Sequence, residues 1–368
     1  MARLSRRLML TIVELCLSTG RGGLEGYAAG LVPALAERGH RLRVVAFPGS
    51  EFAARTGKGA TLEITASRWT PWRGGLQLAR LCREADILHI HRSADLPLAV
   101  LAKRLSGCRP ALIYSRHMAI PRDRRNSPVH RLLHREVDRM LVVSERLAGE
   151  ARSRLPIDPS RIQLLYPGVE PGRPASDCRA FRPPGVDFVV GCFSRLEAAK
   201  GQRTLLAALA RLVGAGINAG GVLAGPVMDF GYEESLRRMS QSPVLADRIR
   251  FVGALTDARP AMACCDAVVL PSAAETLGLV LVEAQLMGVA VLGGDAGGVR
   301  EIIRDGETGL LFAPGDEAAL AARLARLARE PGYAATLARA GAAAARMRFN
   351  RAAHLDHLEA LFRAVTRG

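Results

Sequence analysis

Short apolar runs alternate along the whole chain with longer stretches in which apolar residues recur every three or four positions. The first kind reads as buried strands, the second as amphipathic helices. Leu8 to Leu17 is such a run. It leads into the glycine-rich Ser18-Thr19-Gly20-Arg21-Gly22-Gly23-Leu24-Glu25, a helical pattern from Tyr27 to Arg38, a Gly39-His40 stop, and a second strand from Leu42 to Phe47. That order is a βαβ unit with a phosphate-loop-like first turn. Further strands are predicted at 86–91, 111–114, 140–143, 188–193, 221–224, 249–252, 266–270 and 289–292. Helices are predicted at 204–213, 280–287, 316–329 and 333–346, and a last amphipathic segment at 349–365. From Tyr166 to Asp187 the periodicity gives way to prolines and glycines, which reads as a linker. The pattern therefore predicts two α/β domains, 1–165 and 188–346, joined by 166–187 and followed by a C-terminal helical segment, 347–368.

Composition narrows this. With 368 residues, 49% of them hydrophobic, the chain can bury two cores. The seven cysteines (16, 82, 108, 178, 192, 264 and 265) are scattered without a C-x-x-C pair. That argues against a disulfide framework or a zinc site and fits a reducing cytoplasm. Arg3, Arg6 and Arg7 precede the apolar Leu8–Val13, but Glu14 interrupts the run, so a buried first strand is expected rather than a signal peptide. No run reaches the ~18 apolar residues of a spanning helix. Charge is uneven. Residues 1–165 carry 28 Lys and Arg against 14 Asp and Glu, and residues 166–368 carry 23 against 21. A basic first half suggests an anionic partner: nucleic acid, a membrane surface or an acidic substrate.

Candidate chemistry lies where predicted strands end. After the strand at 266–270 come Glu275, Gly278 and, on the next helix, Glu283. Gly278 lets backbone approach a ligand, and a helix start suits an anionic oxygen or a hydroxyl-rich group. After the strand at 188–193 come Arg195 and Lys200, five residues apart in a strand-to-helix turn, well suited to a diphosphate. Lysine occurs only at 58, 103 and 200, so a lysine in this turn is not composition alone. His89 and His91 share one face of a strand but show no third ligand nearby in sequence, so a structural role is preferred over a metal. Seven arginines between 116 and 139, with apolar Met118, Ile120, Val129, Leu132 and Leu133, form a basic amphipathic segment. It reads as a membrane-surface or anionic-acceptor site, or as a solvated helix face. With one aromatic residue near for base stacking, no nucleic-acid partner is expected.

The Glu275-Thr276-Leu277-Gly278-Leu279…Glu283 stretch resembles the Glu-x7-Glu signature of retaining glycosyltransferases of family 4, with Leu277 where the family usually has Phe. Gly22-Gly23, Arg38-Gly39-His40, Val143-Ser144, Tyr166-Pro167-Gly168, Ser194-Arg195-Leu196…Lys200-Gly201 and the stretches 293–302 and 305–311 resemble other family motifs in the same order. The resemblance covers essentially the whole chain. It implies the GT-B fold: two Rossmann-like domains with parallel sheets facing each other across a cleft, and a C-terminal helix crossing back to the first domain. It implies transfer of a sugar from a nucleotide-sugar donor to a glycan or lipid-linked acceptor with retention, as in lipopolysaccharide or another envelope polysaccharide. The enzyme would be cytoplasmic, or peripheral at the inner face of the membrane. Glu275 and His117 would meet the transferred sugar, and Thr276, Leu277, Gly278 and Leu279 would hold the donor. Glu283 would hold the ribose, Arg195 and Lys200 the diphosphate, and Gly22 and Gly23 would border acceptor and phosphates. No Asp-x-Asp occurs, so neither metal nor other cofactor is expected. A GT-B nucleotide-sugar epimerase and a non-catalytic nucleotide-sugar or anion-binding protein stay open as other classes.

Overall fold

The computed structural model describes residues 9–20, 22–56, 61–63, 71–121 and 127–366. They form two compact units: residues 1–167 with 352–368, and residues 168–351.

In the first unit the strands are β1 (Thr11–Cys16), β2 (Arg41–Ala46), β3 (Thr61–Glu63), β4 (Ile87–Ile90), β5 (Ala111–Arg116), β6 (Arg139–Val142) and β7 (Ile162–Leu164). Its helices are α1 (Gly23–Glu37), α2 (Glu51–Thr56), α3 (Pro71–Cys82), α4 (Leu96–Leu105), α5 (Pro128–Arg135) and α6 (Glu145–Arg154). All seven strands are parallel, in the order β3-β2-β1-β4-β5-β6-β7. Parallel strands covered on both faces must be apolar throughout, and β1 is buried at all six positions. The order reverses between β1 and β4. In such sheets ligands bind beyond the strand ends at that reversal.

The second unit repeats the plan with six parallel strands: β8 (Phe188–Phe193), β9 (Ala219–Ala224), β10 (Ile249–Gly253), β11 (Ala267–Leu270), β12 (Ala290–Gly294) and β13 (Leu310–Phe312). Its helices are α7 (Gln202–Gly214), α8 (Phe230–Ser240), α9 (Arg259–Met262), α10 (Leu279–Leu286), α11 (Glu317–Arg329) and α12 (Pro331–Arg348). The order β10-β9-β8-β11-β12-β13 reverses between β8 and β11. Val190, Leu205, Leu209, Leu223, Val269, Leu292, Leu320 and Leu324 belong to one core that joins both sheet and helices.

The last helix, α13 (Arg351–Thr366), belongs to the first unit. Its Leu355, Leu358 and Phe362 pack with Ile12, Leu35, Ile87 and Ile113. Arg38 fastens it by an ion pair to Asp356 at 2.6 Å.

From Gly168 onward the proline-rich stretch belongs to the second unit. Val169 N–H donates to Phe349 O at 2.9 Å, Arg259 to Glu170 O at 3.0 Å, and Arg182 to Cys264 O at 2.9 Å. It is a strap bound along the second unit. One disulfide, Cys178–Cys264, pins that strap, and the other five cysteines are free. The partners stand 86 residues apart, so no spacing motif announced them.

Candidate functional site

The β8 turn is built around Gly201. It sits at φ +72°, and a Cβ there would stand 2.3 Å from Pro271 O, so the turn after β8 lies directly on the turn after β11. Gln202, fully buried, braces it by donating to Ser194 Oγ at 3.0 Å and Arg195 O at 2.8 Å. The result brings Lys200 to Glu275: Nζ lies 2.6 Å from Oε1, with both side chains mostly buried. Arg195 stands on the same turn, about half exposed and paired with Glu197 at 2.9 Å.

After Glu275 the chain passes Thr276 and the buried Leu277 to Gly278, at φ +98°, which caps α10. Leu279 is the first helical residue, and the opening amides of any helix lack intrahelical partners. Gly298 donates its N–H to Glu275 O at 3.0 Å, and a Cβ on it would meet Thr276 O at 2.2 Å, so this loop is clamped from behind. Leu277 is buried. Glu283, partly buried on α10, acts electrostatically on Arg259. That guanidinium is raised above its ordinary value chiefly by its Asp257 hydrogen bonds, against burial, with Glu283 and Glu170 adding. Arg259 carried no signal in the sequence. The Ser272 hydroxyl, just past β11, is buried with no hydrogen-bond partner among the described residues.

In the first unit the reversal between β1 and β4 holds a different cluster. Glu14 and His89 are register partners on the adjacent strands, and His91 follows β4 on the same face. His89 Nδ1 lies 2.9 Å from Glu14 Oε1, and His91 Nε2 lies 2.8 Å from Glu14 Oε2. His89 Nε2 reaches Ser115 Oγ at 2.7 Å, and His91 Nδ1 reaches His117 Nε2 at 3.4 Å. Tyr27 packs its ring on His117 with centroids 4.8 Å apart, and its hydroxyl meets His354 Nε2 of α13 at 3.0 Å. His117, and Ser115 at the same strand end, were expected near a ligand; Glu14, Tyr27 and His354 were not. The available signal was Glu14 itself, a lone acid inside an apolar strand. It also supplies the third partner that His89 and His91 lack in their sequence neighbourhood. The three ligand atoms lie within 4.8 Å of one another, close enough for a metal ion. Both Glu14 oxygens already accept imidazole N–H bonds, so we read the set as a hydrogen-bonded network.

Burial alone would raise the Glu14 carboxyl. The attraction of His89 and the hydrogen bonds from both histidines outweigh it and hold the group at about 2. His91 is pulled down to about 4 by burial and by His89, against the raising effect of Glu14. His117 is held well below the ordinary histidine value by burial, then by His91, His89 and His354. Nearby Asp95, whose carboxylate accepts the Leu17 N–H at 3.1 Å, is pushed up to about 6 by burial, against Arg92 and that hydrogen bond.

Gly22 and Gly23 begin α1 and are exposed. Behind them Glu25 bonds Ser18 Oγ, and Ser18 Oγ accepts the Gly20 N–H at 3.1 Å, which shapes the loop. The basic segment divides. Arg122, Arg124 and Arg125 lie outside the described residues. Arg116 is buried, donating to Tyr114 Oη at 2.8 Å and Ala119 O at 3.2 Å, so it is no part of a solvated basic face. Met118, Val129 and Leu132 are exposed.

Residues 21–173 match the family model described as Glycosyltransferase Family 4, and residues 187–330 the one described as Glycosyl transferases group 1. A D-inositol 3-phosphate glycosyltransferase of Segniliparus rotundus is 31% identical over 241 residues, 63% of this chain and 54% of that protein. A 2-deoxystreptamine N-acetyl-D-glucosaminyltransferase of Streptomyces fradiae is 31% identical over 256 residues, 64% of this chain and 61% of that protein. The chain thus spans less than two thirds of the length of either relative. The crystal structure of Anabaena Alr3699/HepE in complex with UDP and glucose matches with a TM-score of 0.81 at 22% identity, covering 96% of this chain and 100% of that one. The fold is GT-B.

Proposed function

We propose that this chain, whose matched segments are a Glycosyltransferase Family 4 domain and a Glycosyl transferases group 1 domain in one GT-B fold, transfers a sugar from a nucleotide-sugar donor with retention of anomeric configuration. The observation that carries this is the meeting of Lys200 with Glu275 at the strand reversal of the second unit. A cation and a carboxylate held together beside a capped helix start can part to receive a diphosphate and a sugar hydroxyl. Lys200 and Arg195 neutralise the leaving diphosphate, and Glu283 takes the ribose hydroxyls. Glu275 takes sugar hydroxyls together with the backbone of Leu277, Gly278 and Leu279, with Thr276 in the same loop. In the first unit, His117 is the candidate for a hydrogen bond to a sugar hydroxyl. Positive side chains and helix amides stabilise the departing phosphate, with no metal or other cofactor in the scheme. HepE was crystallised with UDP, which makes uridine diphosphate sugars the first donors to try.

The test is a thermal-shift screen of the purified chain against nucleotide sugars, followed by mass-spectrometric detection of product. A selective shift that Lys200→Ala abolishes supports the donor site. A shift that survives Lys200→Ala together with Arg195→Ala sinks it.

For the acceptor we favour an anionic glycan, phosphorylated or lipid-linked, of the lipopolysaccharide or envelope-polysaccharide kind, met at the inner membrane face. Two observations support it. The charge excess sits in the first half, and the S. rotundus relative is named for a phosphorylated polyol. Gly22 and Gly23 would border that acceptor. Exposed Met118, Val129 and Leu132 would supply apolar contacts to a membrane surface. No helix among the described residues is long and apolar enough to cross a membrane. Co-sedimentation with anionic but not neutral vesicles is the expected result, and equal partitioning to both would remove the membrane from this reading.

A further inference from the structure

The cluster beyond β1 and β4 contains a chain of three groups that ends on His117: Glu14, His91, His117. Hydrogen-bond bookkeeping fixes every proton along it. An ionised carboxylate only accepts, so Glu14 takes the N–H of His91 at Nε2. A neutral imidazole carries one proton, so His91 Nδ1 is bare and can only accept. Its neighbour 3.4 Å away, His117 Nε2, must then be the donor. The contact is edge to edge. The nitrogens are 3.4 Å apart and the ring centroids 5.7 Å, a difference of about the two ring radii, with the planes 27° from parallel. The nitrogens therefore face each other along the line of centres. His117 is left with its lone pair on Nδ1.

The surroundings hold that outcome in place. His89 gives Glu14 its other N–H, so the carboxylate cannot turn away from His91. His354 donates from Nδ1 to Tyr166 O at 2.7 Å and therefore accepts from the Tyr27 hydroxyl at Nε2. Tyr27 is thus turned toward His354 while its ring packs on His117. Burial favours the neutral state of both His91 and His117.

We propose that Glu14 and His91 are positioning residues for His117. They fix it as the Nε2–H tautomer, so that it offers Nδ1 as a hydrogen-bond acceptor to a sugar hydroxyl. This rests on the contact assigned to His117 above. The reverse tautomer would present an N–H at the same point, and a hydroxyl would have to meet it with a lone pair instead of a proton.

The experiment uses the full chain labelled with 15N-histidine. Two-bond 1H–15N spectra at pH 7.5 distinguish a protonated from a bare ring nitrogen, and loss of signals in His117→Ala identifies that ring. The expected wild-type result is protonated Nε2 and bare Nδ1. His91→Leu should erase the preference and lower kcat by about 10- to 100-fold while the KM for donor stays within about threefold. His91→Asn places a carbonyl oxygen near the position of Nδ1 and should recover most of that loss. A merely structural role would instead lower thermal stability alike in both variants and leave kcat of the folded enzyme unchanged, which overturns the proposal. So does a wild-type His117 protonated at Nδ1 or on both nitrogens, a result that stands even if His91→Leu fails to fold. Absence of transfer by wild type with every nucleotide sugar overturns the functional reading instead, and the same spectra still decide the tautomer.

Discussion

Lys200 and Glu275, carried by turns after different strands, meet with Nζ 2.6 Å from Oε1, each with less than a fifth of its side chain exposed. Each satisfies the other when no donor is present. In the proposed scheme a diphosphate entering the turn would compete for Lys200 and free Glu275 for the sugar.

The two partners should therefore behave oppositely. Lys200→Ala would remove the proposed phosphate contact and leave Glu275 without its ion-pair partner, so UDP affinity and kcat/KM should both fall, the latter by about 10²- to 10³-fold. Glu275→Gln releases Lys200, so UDP binds as well as or better than to wild type while transfer falls steeply. Isothermal titration with UDP beside a transfer assay checks this. Weaker UDP binding in Glu275→Gln would contradict it.

Acid should weaken the first unit in a defined window. His91 sits at about 4 in the folded chain against 6.5 ordinarily, so the unfolded chain binds more protons between these values. Its stabilisation is complete above pH 6.5 and is lost as pH falls toward 4, on the order of 3 kcal/mol. His117 acts in the same direction. Asp95 acts oppositely: raised to about 6, it favours the folded state below its unfolded value and loses that as pH rises through 6. Asp95→Asn, which can still accept the Leu17 N–H, should make the loss of stability from pH 6.5 to 4 steeper than in wild type. Denaturant melts at four pH values would show it.

Gly201→Ala should distort the turn after β8. The residue combines a left-handed φ of +72° with a Cβ position 2.3 Å from Pro271 O. Relief requires the β8 and β11 turns to separate, which pulls Lys200 from Glu275. A drop in stability of more than about 1 kcal/mol is expected, with loss of UDP binding. Calorimetry with and without UDP reads both.

Reducing or removing the Cys178–Cys264 bond should lower the melting temperature of the second unit. Its 86-residue separation corresponds to about 4–5 kcal/mol of chain entropy as an upper figure. Cys178→Ser should still bind UDP at room temperature. Alkylation of Cys178 in the unreduced protein would show that the bond is not formed.

Transfer should survive EDTA undiminished, because the proposed phosphate contacts are Arg195 and Lys200. A loss restored by one divalent ion would redirect attention to Glu14, His89 and His91.

Much of the architecture was legible because buried parallel strands write themselves as apolar runs: β8 and β11 fall where the pattern put them, and Ser144 caps α6 by accepting the Leu147 N–H at 3.2 Å. The Lys200 turn and the Glu275 loop were also readable, because each lies within a few residues of its strand. What escaped depends on sheet order. Glu14 looks like a flaw in an apolar run until β1 and β4 are neighbours and place His89 beside it. Arg259 becomes a neighbour of Glu283 only when α9 packs on α10. Cys178 and Cys264 meet only once the strap lies along the second unit.

Helix α13 has a consequence for synthesis. The second unit is a continuous stretch, 168–351, and can close as soon as it leaves the ribosome. The first unit cannot. Leu358 and Phe362, both fully buried against strands emitted hundreds of residues earlier, arrive only after the second unit is made. The usual order of N-terminal domain first is therefore reversed at the last step. Until translation reaches α13, the β1–β4–β5 face stands open, and with it the unit that binds its polar cluster together through His354.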